Sequence, residues 1–242
     1  MFFFDKKVLY IVIAIVAAVS LFGYISNPNE LLDLLLCVPG VLIAITIHEF
    51  CHGLAAYALG DDTAKKQGRL TLNPLKHLEP VGLLMLLFLK IGWGKPVEVD
   101  PRNIKRKVSY RKAEAIIAIA GPVSNFILAF IFTVIYVALY KYCMMDNLTN
   151  KAFLTIFSMI QYAVIINLGL GVFNLIPLPP LDGSKVLKAF LPERANMWFE
   201  NYEMYFYMAF VVLWIIGVLG SVVDLAEEHL YVWLMQLALL FV

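Results

Sequence analysis

Charged side chains are scarce in this sequence: Asp, Glu, Lys and Arg make up 15% of its 242 residues, against about 25% in an average soluble domain. With 62% apolar residues and a mean hydropathy of +0.81, that scarcity excludes an ordinary soluble globule. Cysteine is sparse too. Cys37, Cys51 and Cys143 are scattered in or beside apolar stretches, and an odd number without framework spacing excludes a disulfide scaffold. They read as small packing residues. There is no internal repeat, no low-complexity tract and no room for an appended soluble domain. The net charge of +1 says little as a sum. Its distribution says more, and no nucleic-acid partner is expected.

What the chain does have is long apolar runs. Lys6 and Lys7 precede VLYIVIAIVAAVSLFGYIS. A signal peptide would carry a shorter apolar core ending in a small-residue cleavage site. This run is long enough to cross roughly 30 Å of hydrocarbon, so a retained first transmembrane helix is predicted. Spans are predicted at 8–26, 32–59, 113–140, 153–176 and 203–223. Leu230 to Val242 is too short for an ordinary span. It reads as an interfacial or half-inserted helix, or as a sixth span cut short. The expected fold class is an all-α multi-pass membrane protein of five to six transmembrane helices, with the lipid bilayer as its surroundings.

Lysine and arginine set the expected orientation. The segment 60–112 holds twelve of them and 177–200 adds Lys185, Lys188 and Arg194, whereas 27–31 and 224–229 have none and 141–152 has two. The positive-inside rule puts the N-terminus, 60–112 and 177–200 in the cytoplasm. Within 60–112, the apolar stretch 81–91 is too short to cross and suggests a re-entrant or interfacial piece. Lys95 to Val99 alternates like a strand beside a Gly-rich turn. A solvated basic loop with incidental hydrophobes is the alternative.

The second span carries His48-Glu49-Phe50-Cys51-His52. Spaced i and i+4 on a helix, the two imidazoles project from one face and can share one metal ion. Glu49 lies about 100° round the helix, within reach of a metal-bound water without being a ligand. Two hydrogen-bonded helical histidines are the bland alternative, but that leaves a charged glutamate buried beside them for no return. Ionisable groups at membrane depth are functional by default. The charge bias places the motif in the cytoplasmic half of the membrane.

A catalytic zinc needs a third protein ligand and keeps a fourth position for water. Cys51 shares a short helical turn with both histidines, Glu30 and Asp33 lie at the opposite membrane face, and His77 and Glu79 lie in the loop. Asp182 is the better candidate. It follows Pro177-Leu178-Pro179-Pro180-Leu181, which cannot continue a helix and is expected to be extended, and Gly183 permits a tight turn. The competing reading of Asp182 is an N-cap for a helix beginning near Ser184. Asn125 and Asn174 sit in apolar spans. Each is either interhelical glue or a hydrogen-bond donor to substrate or a developing oxyanion. Asn167 and Gln161 read as helix-packing polar residues.

HEFCH at 48–52, GPVSNF at 121–126 and NLIPLPPLDG at 174–183 occur in one order on the second, third and fourth spans. In this the chain resembles the site-2 protease family of intramembrane zinc metalloproteases. GRLTLNPLKHLEPVG at 68–82 resembles the membrane-associated loop of the compact prokaryotic members. The resemblance implies a three-helix catalytic core with a membrane-associated re-entrant or β-hairpin loop. It implies one catalytic zinc held by His48, His52 and Asp182, Glu49 as general base, and Asn174 steadying the oxyanion. For Asn125 it implies a substrate-binding or structural role. The chain departs from many relatives in lacking a PDZ or CBS domain.

On this reading 1–30 is an N-terminal transmembrane helix, 31–190 the catalytic core and 191–242 the C-terminal helices. The expected reaction is hydrolysis of peptide bonds in or near transmembrane segments of membrane-protein substrates, in a prokaryotic cell membrane. Lys95, Val97 and Val99 are expected to bind an unwound substrate by adding a strand to it. A homo-oligomeric assembly is left open. The alternatives are a catalytically inactive relative that binds membrane proteins, which would have no need of Glu49, and a zinc transporter, which would need ligands leading across the membrane.

Overall fold

The computed structural model describes residues 26–79, 82, 94–104, 108–146 and 150–242. Among them are eight α-helices: α1 (Pro28–Ala58), α2 (Thr63–Lys66), α3 (Tyr110–Asp146), α4 (Lys151–Leu175), α5 (Asp182–Phe190), α6 (Glu193–Asn201), α7 (Glu203–Ile215) and α8 (Val218–Ala238). Helix α1 opens on Pro28, whose fixed φ suits the first helical position. Helix α4 is capped by Asn150, whose side chain accepts the Phe153 N–H at 2.8 Å.

Pro28–Ala58, Tyr110–Cys143 and Lys151–Leu175 are long and apolar enough to cross a membrane, and the predicted spans 32–59, 113–140 and 153–176 fall on them. The predicted span 8–26 lies outside the described residues apart from Ser26. The predicted span 203–223 falls on two helices that are long and apolar enough to cross only when taken together. Gly217 adopts a left-handed φ of +81° there and breaks the run, so that α7 and α8 meet at a bend of 72°. Helix α7 has only 13 residues, too few to cross alone. The stretch 224–229, read as an outside loop, lies within α8, and Leu230 onward forms the second half of that helix.

Helices α1, α3 and α4 pack on one another, and α8 lies against α3 and α4. Small residues set the close crossings, as expected where lipid supplies no hydrophobic drive between helices. A Cβ on Gly40 of α1 would sit 3.0 Å from the Ala163 Cα of α4, and one on Gly171 would sit 3.0 Å from the Phe126 ring. Ala129, Val164, Leu168 and Leu234 fill the space between α3, α4 and α8.

Between α1 and α3 the chain forms a strap over the end of α1. The expected hairpin is represented by a single antiparallel bridge, Leu78 with Gly94, and the described residues contain no regular strand. The expected re-entrant piece 81–91 lies outside the described residues except for Gly82. Two buried charges anchor the strap. The Arg69 guanidinium donates to the carbonyls of Lys76, Lys95 and, at 3.3 Å, Pro96. Asp61, fully buried, accepts from Thr63 N–H and hydroxyl, from Asp100 N–H at 2.7 Å and from Asn103 Nδ2 at 3.2 Å. Burial pushes the Asp61 carboxyl up, but these donors, led by Thr63, outweigh it and hold it below its ordinary value.

Two outcomes follow from this packing. Gly40→Leu forces α1 off α4 and lowers the thermal unfolding midpoint in detergent, by the equivalent of about 1–3 kcal/mol. Gly220→Leu, where a Cβ meets nothing within 4 Å, leaves the midpoint in place. Because the folded Asp61 carboxyl titrates below its unfolded value, its stabilisation is complete above about pH 4 and is lost as pH falls further. The thermal midpoint of the wild type therefore declines more steeply with acidification below about pH 4 than that of Asp61→Asn, which lacks the contribution throughout.

Candidate metal centre

His48 and His52, one turn apart on α1, present their Nε2 atoms to each other at 3.0 Å. The Asp182 carboxylate closes the triangle, with Oδ2 at 3.2 Å from His48 Nε2 and 3.1 Å from His52 Nε2. All three residues are buried, and among the described residues they form a group able to hold a metal ion. Tetrahedral zinc with bonds of about 2.0–2.1 Å needs donor separations of roughly 3.3 Å. Two neutral imidazoles and one carboxylate also form the donor set of a catalytic zinc. The residues fit the ion.

Asp182 arrives here by a route that the sequence only partly disclosed. The segment after α4 is not extended: the Leu178 N–H bonds to Ile176 O at 2.8 Å and the Leu181 N–H to Leu178 O at 2.9 Å, giving consecutive tight turns. Asp182 is then the first residue of α5 rather than its cap, and its carboxylate turns to the histidines. Gly183 serves close approach instead of a turn. A Cβ there would fall on the Leu175 carbonyl and within 2.5 Å of the Ile176 oxygen. The Asp182 carboxylate meets both histidines through Oδ2. Lys185 Nζ adds a contact at 3.6 Å to its other oxygen.

Each histidine is held from behind. His48 Nδ1 donates to Asn125 Oδ1 at 2.6 Å and His52 Nδ1 donates to the Ile117 carbonyl at 2.7 Å. Both partners lie on α3, where Pro122 sits inside the helix and interrupts its ladder. With the proton fixed on Nδ1, the Nε2 lone pairs face the centre. Gly121 makes room for the rings: a Cβ there would lie 2.5 Å from His52 Nε2 and 2.7 Å from His48 Cε1.

The strap reaches the site at Glu49, whose Oε2 accepts the Val97 N–H at 2.9 Å. Val97 packs over Gly53, and Val99 over the cluster of Ala56, Leu59, Ala113 and Ile117. Lys95 is exposed, with its N–H bonded to His77 O at 2.8 Å. Asn174 lies in the last turn of α4, half-buried, with Nδ2 bonded back to Leu170 O at 3.0 Å. Asn125 is fully buried, and its amide is engaged by His48, Ala44 O and Asn167. It has no exposed surface to offer a substrate. The roles of Arg69 and Asp61 carry no sequence signal, because a lone polar residue in a loop has no spacing pattern, whereas Asn167, expected as a helix-packing polar residue, does bond across to Asn125.

The family model for peptidase family M50 matches residues 37–217. The chain is 42% identical over 183 residues to the candidate zinc metalloprotease YwhC of Bacillus subtilis, covering 76% of this chain and 81% of that one. It is 27% identical over 216 residues to the candidate zinc metalloprotease Rip2 of Mycolicibacterium smegmatis, covering 86% and 79%. A candidate zinc metalloprotease of Methanocaldococcus jannaschii is 27% identical over 189 residues, covering 77% and 85%. No solved structure matches.

Gly121→Ala drives a methyl into the imidazoles and is expected to strip zinc from the purified protein while the helical circular-dichroism signal persists. Metal content by atomic absorption checks this. Arranged as these residues are, and with the relatives it has, the chain belongs to peptidase family M50 and is a zinc metalloprotease of the membrane.

Proposed function

We propose that His48, His52 and Asp182 hold the zinc and that Glu49 is the general base of peptide-bond hydrolysis within the bilayer. The observation that carries this is the convergence of three buried ligand atoms from α1 and α5 beside Glu49. Bound there, zinc lowers the pKa of a water and polarises the scissile carbonyl. Glu49 takes the proton of the attacking water as its oxygen bonds to the carbonyl carbon. It then delivers that proton to the amine nitrogen as the C–N bond breaks. The Val97 N–H fixes one carboxylate oxygen of Glu49 and leaves the other for this transfer. Asn174, with one amide hydrogen spent on Leu170, has a second for the oxyanion.

The substrates are transmembrane segments of other membrane proteins. A helical segment must unwind locally to expose a carbonyl, and the strap 95–99 offers it a backbone edge. Lys95 and Val97 spend their N–H groups inside the protein. By the two-residue period of an extended chain, Glu98 presents its N–H on the opposite side. Residues 31–190 form the catalytic unit and 191–242 an accessory helical layer. The lysine and arginine bias sets the active site in the cytoplasmic half of a prokaryotic membrane, with the N-terminus inside. A transporter would need ligands leading across the membrane, and the ligand group found among the described residues is this one.

Purified protein incubated with a single-pass test substrate tests the assignment. Glu49→Gln is expected to lose about 10²–10⁴-fold in cleavage rate while retaining zinc. Equal cleavage by the variant overturns the assignment of the base. Glu98→Pro is expected to weaken cleavage with zinc content unchanged, and wild-type cleavage by it removes the strap from the substrate path.

A further inference from the structure

We infer that Asn167 is a positioning residue for the zinc centre, acting through Asn125 on His48. The inference rests on His48 being a zinc ligand. A side-chain amide has a carbonyl and an amino end of nearly equal size, and only its partners determine which end faces which way. Asn125 Nδ2 donates to two acceptors, Asn167 Oδ1 at 2.9 Å and Ala44 O at 3.2 Å. Its carbonyl oxygen is therefore the end that meets His48 Nδ1 at 2.6 Å. That contact requires the proton on Nδ1 and leaves Nε2 as the metal donor.

Asn167 is oriented in turn by its own helix. Its Nδ2 donates to the Ala163 carbonyl at 2.8 Å, which points Oδ1 at Asn125. Both asparagines are fully buried, where an unmade hydrogen bond costs its full desolvation penalty. The relay thus starts on the backbone of α4, crosses α3 and ends at a ligand on α1. Simple helix glue would need only one bond between α3 and α4. Here both amide hydrogens of Asn125 are committed, and the choice of tautomer one residue further on follows from that.

The test is zinc affinity of the purified protein, by competition with a chromophoric chelator in detergent. Asn167→Leu is expected to weaken zinc binding about 10–100-fold. Thr133→Val also removes a fully buried polar group on α3, one whose hydroxyl bonds back to its own helix at Ala129 O, and it is expected to leave the affinity unchanged. In an Asn125→Leu background, Asn167→Leu should add no further loss. Asn167→Asp, kept neutral by its apolar surroundings, can donate its hydroxyl to Ala163 O and keep its acceptor toward Asn125, and should stay within a few-fold of wild type. Wild-type affinity in folded Asn167→Leu, or losses that add in the double variant, overturns the inference. If Asn167→Leu does not fold, Asn167→Asp decides: retained affinity supports the relay and lost affinity ends it. A wild-type protein that binds no zinc would instead overturn His48 as a ligand.

Discussion

Everything else in this molecule depends on bringing one carboxylate and two imidazoles together inside an apolar helix bundle. Removing such groups from water costs several kcal/mol for a charged carboxylate, and membrane depth adds to the difficulty. A shared cation would offset that cost, and each donor residue also has a polar partner outside the triangle. Asn125 and the Ile117 carbonyl hold the imidazoles, and Lys185 lies against Asp182. These outer partners come from α3 and α5, so the site exists only when α1, α3, α4 and α5 are docked. The packing of the core and the geometry of the candidate site rest on the same helices.

Glycine makes the docking possible. Gly40, Gly121 and Gly183 each stand where a Cβ would strike another element: Ala163 of α4, the two imidazoles, and the end of α4. None of the three needs a left-handed φ, which among the described residues belongs to Gly60, Gly68 and Gly217. Their role is proximity. In lipid, where burying leucine against leucine gains little over leaving it against acyl chains, close backbone approach and polar bonds carry the association.

That division explains what the sequence discloses. His48 and His52 are legible because i and i+4 on a helix is a local relation, and Asp182 because prolines and a glycine bracket it. The apolar spans at α1, α3 and α4 are legible by length. The break at Gly217 is not, because hydropathy runs continuously from Glu203 past Val218 while a single backbone dihedral turns the chain. Extended geometry before Asp182 was inferred from proline alone, yet proline is equally at home in the tight turns that form there. The anchoring of the strap by Arg69 and Asp61 is also hidden in sequence. Their partners are mostly backbone groups 7 to 39 residues away, and a backbone carbonyl has no letter.

The strap's position has a mechanistic consequence. A general base must reach its water yet stay out of the metal's coordination sphere. Glu49, adjacent to a ligand on the same helix, is close enough to fail the second requirement. The Val97 N–H draws one carboxylate oxygen toward the strap, and the strap is fixed by Arg69 at residues 95 and 96 and by Asp61 at residues 100 and 103. Glu49, the proposed base, is thus restrained by a segment anchored outside the bundle, whereas the proposed ligands are restrained from within it. In the proposed mechanism the same segment offers the substrate its edge at Glu98, so a substrate that shifts it also acts on Glu49. The Glu98 N–H proposed for the substrate and the Val97 N–H held by Glu49 are neighbours on one strap.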